Sequence, residues 1–260
     1  MKYFLEHNNK KYTKDDLIKT LCEVGIKKGD IICVHTELFN FGTPLLPKNE
    51  FLQTILEAFF EAIGKEGTLI MPTFTYSFCK NQIYDKLNSI TKVGALNEYF
   101  RKQEKVVRTN DPIFSFAVKG AKQDLFLKDT TSCFGKDCVY DILIKENTKF
   151  MLFGSTTGHT LTHHIEEKYK VEYRYFKNFN GITIDENGNQ YEKNINFYVR
   201  YLDKNSLPNV DMINEVTRKT KQFQEKEFGG ACICVFNTRE YEMAIKNALE
   251  KDENALVIKD

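Results

Sequence analysis

Short apolar runs alternate along this chain with segments whose apolar residues follow helical spacing. Residues 30–35, 68–72 and 149–154 are short, apolar runs of the kind that form buried strands. Between the first two runs, Phe51, Ile55 and Phe59 lie on one face of a helix that ends near Gly64. This alternation predicts an α/β fold in which helices cover both faces of a central mixed sheet.

The same spacing predicts the remaining elements. Thr13 followed by Asp16 is typical of a helix start. Further helices are expected at residues 94–102, 137–145, 159–168, 210–219 and 238–251, and further strands at residues 114–118 and 231–235.

The pattern changes at residues 173–202, which are rich in aromatic and β-branched side chains. Asn187-Gly188 within this stretch is a strong hairpin signal. The stretch therefore predicts an antiparallel β-rich insertion in the C-terminal half of a single domain that spans residues 1–260.

Composition limits the function classes. The net charge of +1 argues against nucleic acid and against an anionic membrane as partners. The chain shows no signal peptide and no membrane-spanning run, and its seven scattered cysteines form no zinc motif. We expect a cytoplasmic protein that holds no metal.

Four segments place hydroxyls, glycines or histidines where a predicted strand ends, which is where open α/β sheets bind ligands. They are VHTELFNFG (34–42), GTLIMPTFTYSF (67–78), VVRTNDPIFSFAVKGA (106–121) and FGSTTGHTLTHHIEEKYKVEYR (153–174).

Together these segments resemble the aminoglycoside 3-N-acetyltransferase family over most of the chain. HTEL matches the family's His-Ser/Thr-Ser/Thr-Leu loop. GTLIMPTFT matches its Gly-Thr-Leu strand and the threonine-rich turn that follows. RTNDPIFSF matches its R-S/T-x-x-P-x-x-S-F segment. Thr160, His163 and Glu166, followed by Val171 and Tyr173, match its T-x-x-H-x-x-E and V-x-Y motifs. The resemblance implies direct transfer of an acetyl group from acetyl-CoA to an amine.

His163 is the expected general base, since an imidazole can accept a proton near neutral pH. Glu166 lies three residues later on the same helical face and is expected to orient the ring. His164 with Glu167 is the alternative pair, although the distance to Tyr173 favours His163. His159 and His163 are four residues apart, but HTLTH lacks the glutamate of a zinc motif.

The resemblance also gives cofactor and substrate candidates. The expected acetyl-CoA contacts are His35, Thr36, Thr73, Thr75, Arg108 and Ser115. Glu37 and Asp111 depart from the family pattern and are expected at the substrate, as are Tyr173 and Arg174 in the aromatic-rich stretch.

Several alternatives stay open. The acceptor is expected to be the amine of an amino sugar, in preference a nucleotide-linked one, with an aminoglycoside antibiotic as the alternative. A thiol such as Cys133 could instead form an acyl-enzyme. A second catalytic carboxylate could come from Glu98 or Asp203, and a homodimer is one expectation for the assembly.

Overall fold

A computed structural model describes residues 2–259 of the chain. The strands are β1 (Tyr3–His7), β2 (Lys10–Thr13), β3 (Ile31–Thr36), β4 (Thr43–Pro44), β5 (Thr68–Pro72), β6 (Tyr84–Asp85), β7 (Val107–Arg108), β8 (Phe116–Gly120), β9 (Lys149–Phe153), β10 (Arg174–Ile184), β11 (Gln190–Arg200), β12 (Gln224–Phe228) and β13 (Ala231–Asn237). The α-helices are α1 (Lys14–Glu23), α2 (Lys48–Ile63), α3 (Ala95–Arg101), α4 (Val139–Lys145), α5 (Leu161–Tyr169), α6 (Val210–Arg218) and α7 (Thr238–Lys251).

The central sheet has the strand order β12-β13-β9-β3-β5-β8-β7. Strands β9, β3 and β5 run parallel in its middle, and the outer strands are antiparallel to their neighbours. The side chains of β3 alternate between two apolar cores, because successive residues of a strand point to opposite faces. Ile32 and Val34 enter one core, and Ile31 and Cys33 enter the other. The predicted mixed sheet is therefore confirmed.

Helices cover both faces of this sheet, as predicted. Helices α1, α2 and α3 bring Leu21, Phe59 and Phe100 to one face, and α4, α5 and α7 cover the other, where Ile165 and Ile245 are fully buried. The helix start at Thr13 is a complete capping box, since the Thr13 hydroxyl accepts from the Asp16 N–H and the Asp16 side chain accepts from the Thr13 N–H. Within residues 2–259, no helix combines the length and the apolar character needed to cross a bilayer.

The β-rich stretch is a long hairpin, as predicted. Strands β10 and β11 pair without a register break from Arg174 opposite Arg200 to Ile184 opposite Gln190. The turn holds Asp185, whose Oδ1 accepts from the backbone N–H groups of Asn187 and Asn189. The sequence therefore defined both the hairpin and its turn.

Several strands were not predicted, among them β6, which pairs with β10, and β7, which forms one edge of the central sheet. Strands β1, β2 and β4 form a separate three-stranded sheet, and β12 forms an edge of the central sheet. Strand β12 reads Gln-Glu-Lys-Glu-Phe, and its charged side chains are mostly exposed because an edge strand needs little apolar surface. Such a segment carries almost no hydrophobic periodicity, which explains why it was missed.

Gly154 closes the end of β9 against the end of β3. Its φ of +94° lies in the left-handed region, and a Cβ atom there would lie 2.1 Å from the carbonyl oxygen of Glu37. The Glu37 N–H donates to the Phe153 carbonyl (2.9 Å), and the Asn40 side chain donates to the Gly154 carbonyl (2.9 Å). A glycine is thus required for the two chain segments to approach this closely.

Replacing Gly154 by alanine should lower the free energy of unfolding by about 2–4 kcal/mol, because left-handed strain and a backbone overlap add together. Gly25 is the matched control: it has a φ of +88°, but a Cβ atom there would meet nothing within 4 Å. Gly25→Ala should cost only about 1 kcal/mol. Urea denaturation of both variants measures the difference, and equal losses would contradict the close approach.

Candidate functional site

A cavity of about 700 Å³ opens at the carboxyl ends of the parallel strands β9, β3 and β5. These ends meet at one sheet edge because the three strands run in the same direction. The lining residues are His35, Thr36, Glu37, Leu38, Phe39, Pro72, Phe74, Tyr76, Val93, Gly94, Ala95, Asn97, Leu152, Ser155, Thr157, Gly158 and Thr160.

The cavity wall is mainly apolar and carries a few fixed polar groups. The Thr36 hydroxyl donates to the side-chain oxygen of Asn97 (2.6 Å), and the Asn97 amide donates to the carbonyl of Pro72 (2.7 Å). Of the described residues that line the cavity, Glu37 has the one charged side chain. The sequence did not single out Asn97, because a buried amide on a short helix belongs to no motif.

His163 lies within the first turn of α5, three residues after Thr160, which lines the cavity. Its Nδ1 atom is 2.7 Å from Oε2 of Glu166, one turn later on the same helix. A carboxylate can only accept, so the contact with Glu166 requires the ring proton on Nδ1, whereas Nη2 of Arg174, 2.9 Å from the same nitrogen, can only donate. The His163 side chain keeps 24% of its surface exposed. With the proton on Nδ1, the pair leaves Nε2 unprotonated.

Glu166 is a buried carboxylate with three partners. Its Oε1 atom accepts from the Tyr173 hydroxyl (3.0 Å), and its Oε2 atom lies 2.8 Å from Nε of Arg174 in addition to His163. Burial alone would raise the pKa of Glu166, but the charges and hydrogen bonds of His163, Arg174 and Tyr173 lower it overall. The carboxylate is therefore ionised where it holds the imidazole.

The proposed base and the cavity are joined by two short connections. The Thr160 carbonyl accepts from the His163 N–H (3.1 Å), and Thr160 itself lines the cavity. Ring contacts run from Tyr76 in the cavity wall through Phe114 and Phe134 to the His163 imidazole. Phe114 and Phe134 are buried, so this second connection runs through the apolar core, whereas Thr160 joins the cavity lining to His163 directly. Thr160 was quoted in the sequence motif, but Phe134 was missed.

His164, the alternative base, points into the core. It is almost fully buried, and its Nδ1 lies 2.6 Å from the Phe134 carbonyl, which fixes the ring proton on Nδ1. Its Nε2 atom is buried and has no partner among the described residues. Burial lowers the pKa of His164. Its position supports His163 as the reactive member of the pair.

His35 and His159 lie together beside the cavity as neutral side chains. Burial lowers the pKa of each to about 3. Both rings pack against Phe150, at centroid distances of 4.9 and 5.2 Å. No group of three or more His, Cys, Asp or Glu within residues 2–259 is placed to hold a metal ion.

Four of the cofactor candidates lie away from the cavity lining. Arg108 is buried and donates to Oγ1 of Thr73 (3.2 Å), Oγ of Ser115 (3.1 Å) and the carbonyl of Thr73 (2.7 Å). Thr75 donates to the carbonyl of Pro112 (2.8 Å). Their polar atoms bond to other groups of the protein, and their role as acetyl-CoA contacts stays a prediction from the sequence. His35 and Thr36 do line the cavity.

Of the four substrate candidates, Glu37 alone lines the cavity. The Oδ1 atom of Asp111 accepts from the N–H groups of Ile113 (2.7 Å) and Phe114 (2.8 Å), which shapes the turn before β8. Tyr173 and Arg174 are buried against Glu166 rather than open to a ligand. Tyr173 and Arg174 therefore support Glu166 from within the protein, and the role of these candidates at the substrate stays a prediction from the sequence.

The structure also shows where Cys133, Glu98 and Asp203 lie. Cys133 is buried and its Sγ lies 3.7 Å from Asp111 Oδ1; burial and that carboxylate raise the pKa of its thiol well above the usual value. A thiol held protonated in this way is a poor nucleophile. Glu98 is held by Arg101 (2.6 Å) and Lys102 (2.8 Å), and Asp203 is exposed on a loop. None of these groups contacts the pair formed by His163 and Glu166.

Comparison with known proteins places this arrangement among acetyltransferases. A family model described as aminoglycoside 3-N-acetyltransferase matches residues 33–250. The SPbeta prophage-derived aminoglycoside N(3')-acetyltransferase-like protein YokD of Bacillus subtilis (strain 168) is 23% identical over 199 residues, which cover 67% of this chain and 71% of YokD.

Solved structures share the fold over nearly the whole chain. AAC-IIIb in a binary complex with CoASH superposes with a TM-score of 0.77 at 20% identity, covering 92% of this chain and 97% of AAC-IIIb. AAC-VIa bound to sisomicin superposes with a TM-score of 0.79 at 18% identity, covering 92% of this chain and 98% of AAC-VIa.

Arg108→Met should lower the free energy of unfolding by about 3 kcal/mol, because it leaves buried carbonyls and hydroxyls without donors. The folded fraction should bind acetyl-CoA as tightly as the unchanged protein. Urea denaturation and calorimetric titration measure the two effects. Arg239→Met, at an exposed arginine that donates to one carbonyl, is the control. Unchanged stability with lost acetyl-CoA affinity would restore Arg108 as a cofactor ligand.

Proposed function

The chain belongs to the aminoglycoside 3-N-acetyltransferase family, and we propose that it transfers the acetyl group of acetyl-CoA to an amine of an aminoglycoside. The observation that carries this proposal is the His163–Glu166 pair, which leaves Nε2 of the imidazole free beside the cavity. A cytoplasmic location and a homodimer stay predictions from the sequence.

The pair supplies general base catalysis. Nε2 of His163 accepts a proton from the attacking amine while the amine nitrogen bonds to the thioester carbonyl carbon. The carbon–sulfur bond then breaks, the acetyl group stays on the amine, and the proton passes from the imidazolium to the CoA sulfur. Glu166 stabilises the imidazolium through Nδ1 during this exchange. No covalent enzyme intermediate is needed, which agrees with the burial of Cys133.

The cavity suits the thioester end of acetyl-CoA. Its volume of about 700 Å³ and its apolar wall can accept the pantetheine arm. Thr36 and Asn97 are fixed polar groups of the lining, and the carbonyl of Thr160, also in the lining, accepts from the His163 N–H. We propose that the acetyl group lies near Thr160, where the acceptor amine meets His163.

The acceptor is better explained by an aminoglycoside than by a nucleotide-linked amino sugar, which the sequence had favoured. The matched family is named for aminoglycosides, and a structural neighbour was solved with sisomicin. No lysine or arginine is present among the described residues of the cavity lining, whereas a sugar nucleotide carries a pyrophosphate. Glu37 offers a carboxylate to a cationic acceptor.

Thiol release from acetyl-CoA should be measured against aminoglycosides, free amino sugars and UDP- or dTDP-linked amino sugars. We expect turnover on aminoglycosides at least about 100-fold above that on nucleotide-linked amines, because the latter bring negative charge to a site without a basic side chain. Preference for a nucleotide-linked amine would overturn the proposed acceptor. Absence of turnover on every amine would overturn the proposed reaction.

His163→Ala should lower kcat by at least about 100-fold, since a general base contributes that much or more. Acetyl-CoA affinity should be unchanged, because the ring does not line the cavity. His164→Ala is the matched control, a neighbouring imidazole turned into the core, and should lose stability but keep most of the turnover of its folded fraction. Near-normal kcat in His163→Ala would show that the base is another group.

A further inference from the structure

Two side chains of opposite charge approach the same nitrogen of His163. Nδ1 lies 2.7 Å from Oε2 of Glu166 and 2.9 Å from Nη2 of Arg174. A carboxylate only accepts a hydrogen bond and a guanidinium only donates one. Nδ1 can therefore satisfy one of these partners at a time.

The position of the ring proton decides which partner is satisfied. With the proton on Nδ1, the ring donates to Glu166 and keeps an unprotonated Nε2. With the proton on Nε2, the ring would accept from Arg174 and could not act as a base. The neighbours therefore favour opposite tautomers, and the reaction needs the one that Glu166 selects.

Arg174 is itself held in place by the protein. Its Nε atom is 2.8 Å from Oε2 of Glu166, an ion pair without hydrogen-bond geometry, and its Nη1 atom donates to the carbonyl of Tyr198 (3.2 Å) on β11. The side chains of Arg174 and Glu166 are only 4% and 5% exposed. Charges so poorly screened by water act strongly on a neighbouring ring.

The net field at the imidazole depends on both charges. The negative charge of Glu166 attracts a proton to the ring, and the fixed positive charge of Arg174 repels one. The other titratable groups nearby are His159, in the loop before α5, and Tyr173, which donates to Glu166.

We infer that Arg174 is a positioning residue: it holds the Glu166 carboxylate at Nδ1 of His163 and opposes a second proton on the ring, so that Nε2 stays free to accept the proton of the substrate. This inference rests on the proposed acetyl transfer. Arg174 then acts on His163 rather than on the substrate, and the hairpin of β10 and β11 contributes to the reaction through this side chain.

Arg174→Gln should shift the acid limb of the kcat/KM profile to higher pH by about one unit, because removal of a nearby positive charge lets the ring protonate more readily. Above that limb, turnover should recover to within about tenfold of the unchanged enzyme. Arg174→Lys keeps the charge and should leave the limb in place. An equal loss of kcat at every pH in Arg174→Gln would overturn the inference.

Lys177→Gln is the matched control, since it removes one positive charge from the exposed side of the same strand. Its acid limb should coincide with that of the unchanged enzyme, because solvent screens an exposed charge. An equal shift in this variant would mean that the strand's overall charge, and not the Arg174 contact, controls the profile.

Nitrogen-15 NMR of histidine-labelled enzyme tests the tautomer without altering Arg174. His163→Gln identifies the signals of His163 by their loss. At neutral pH we expect a protonated Nδ1 and an unprotonated Nε2; the reverse would overturn the inference even if Arg174→Gln fails to fold. Activity of the unchanged enzyme on an aminoglycoside separates this inference from the proposed function, which fails when no acetyl transfer occurs at all.

Discussion

The parallel pairing of β9, β3 and β5 is the constraint on which the site depends. Because the three strands run in one direction, their carboxyl ends reach the same sheet edge, and the loops that follow must share that space. Gly154 permits the closest of these approaches by letting the chain after β9 touch the carbonyl of Glu37. The space that these loops leave between them is the cavity. The antiparallel strands outside this trio extend the sheet but add little to the lining.

Beside the cavity, the decisive feature is a buried negative charge. Glu166 would be costly to ionise in the core by itself, and it is stabilised by His163, Arg174 and Tyr173. Two of these partners come from the start of the hairpin and its approach, whereas Glu166 and His163 belong to α5. Because the buried Glu166 carboxylate on α5 needs Arg174 and Tyr173 as partners, α5 and the hairpin must pack together. The hairpin also packs Ile195 and Tyr198 into the core beneath the central sheet, so one element supports both the fold and the geometry of His163.

Much of this arrangement could be predicted from the sequence. Apolar strands such as residues 68–72 carry a strong pattern because both of their faces are buried, and Asn187-Gly188 marked the hairpin turn. The spacing of His163, Glu166 and Tyr173 likewise brought together groups that lie in contact. What the sequence could not predict was the set of internal partners of the buried polar residues. Arg108 and Ser115 lie in a matched motif, but a motif does not reveal whether a donor faces a ligand or a backbone carbonyl.

That distinction determines how the motif residues respond to substitution. Arg108, Thr73 and Ser115 bond to one another and to backbone oxygens, so their loss acts first on the folded state and only then on activity. The His163 side chain is 24% exposed, and under the proposed function its loss acts chiefly on the chemical step, although Glu166 also loses one of its partners. Arg174 lies between these classes: it is buried like Arg108, but its guanidinium contacts the base itself. The pH dependence of an Arg174 variant, rather than its activity alone, therefore shows whether Arg174 only supports the fold or also controls protonation of the His163 ring.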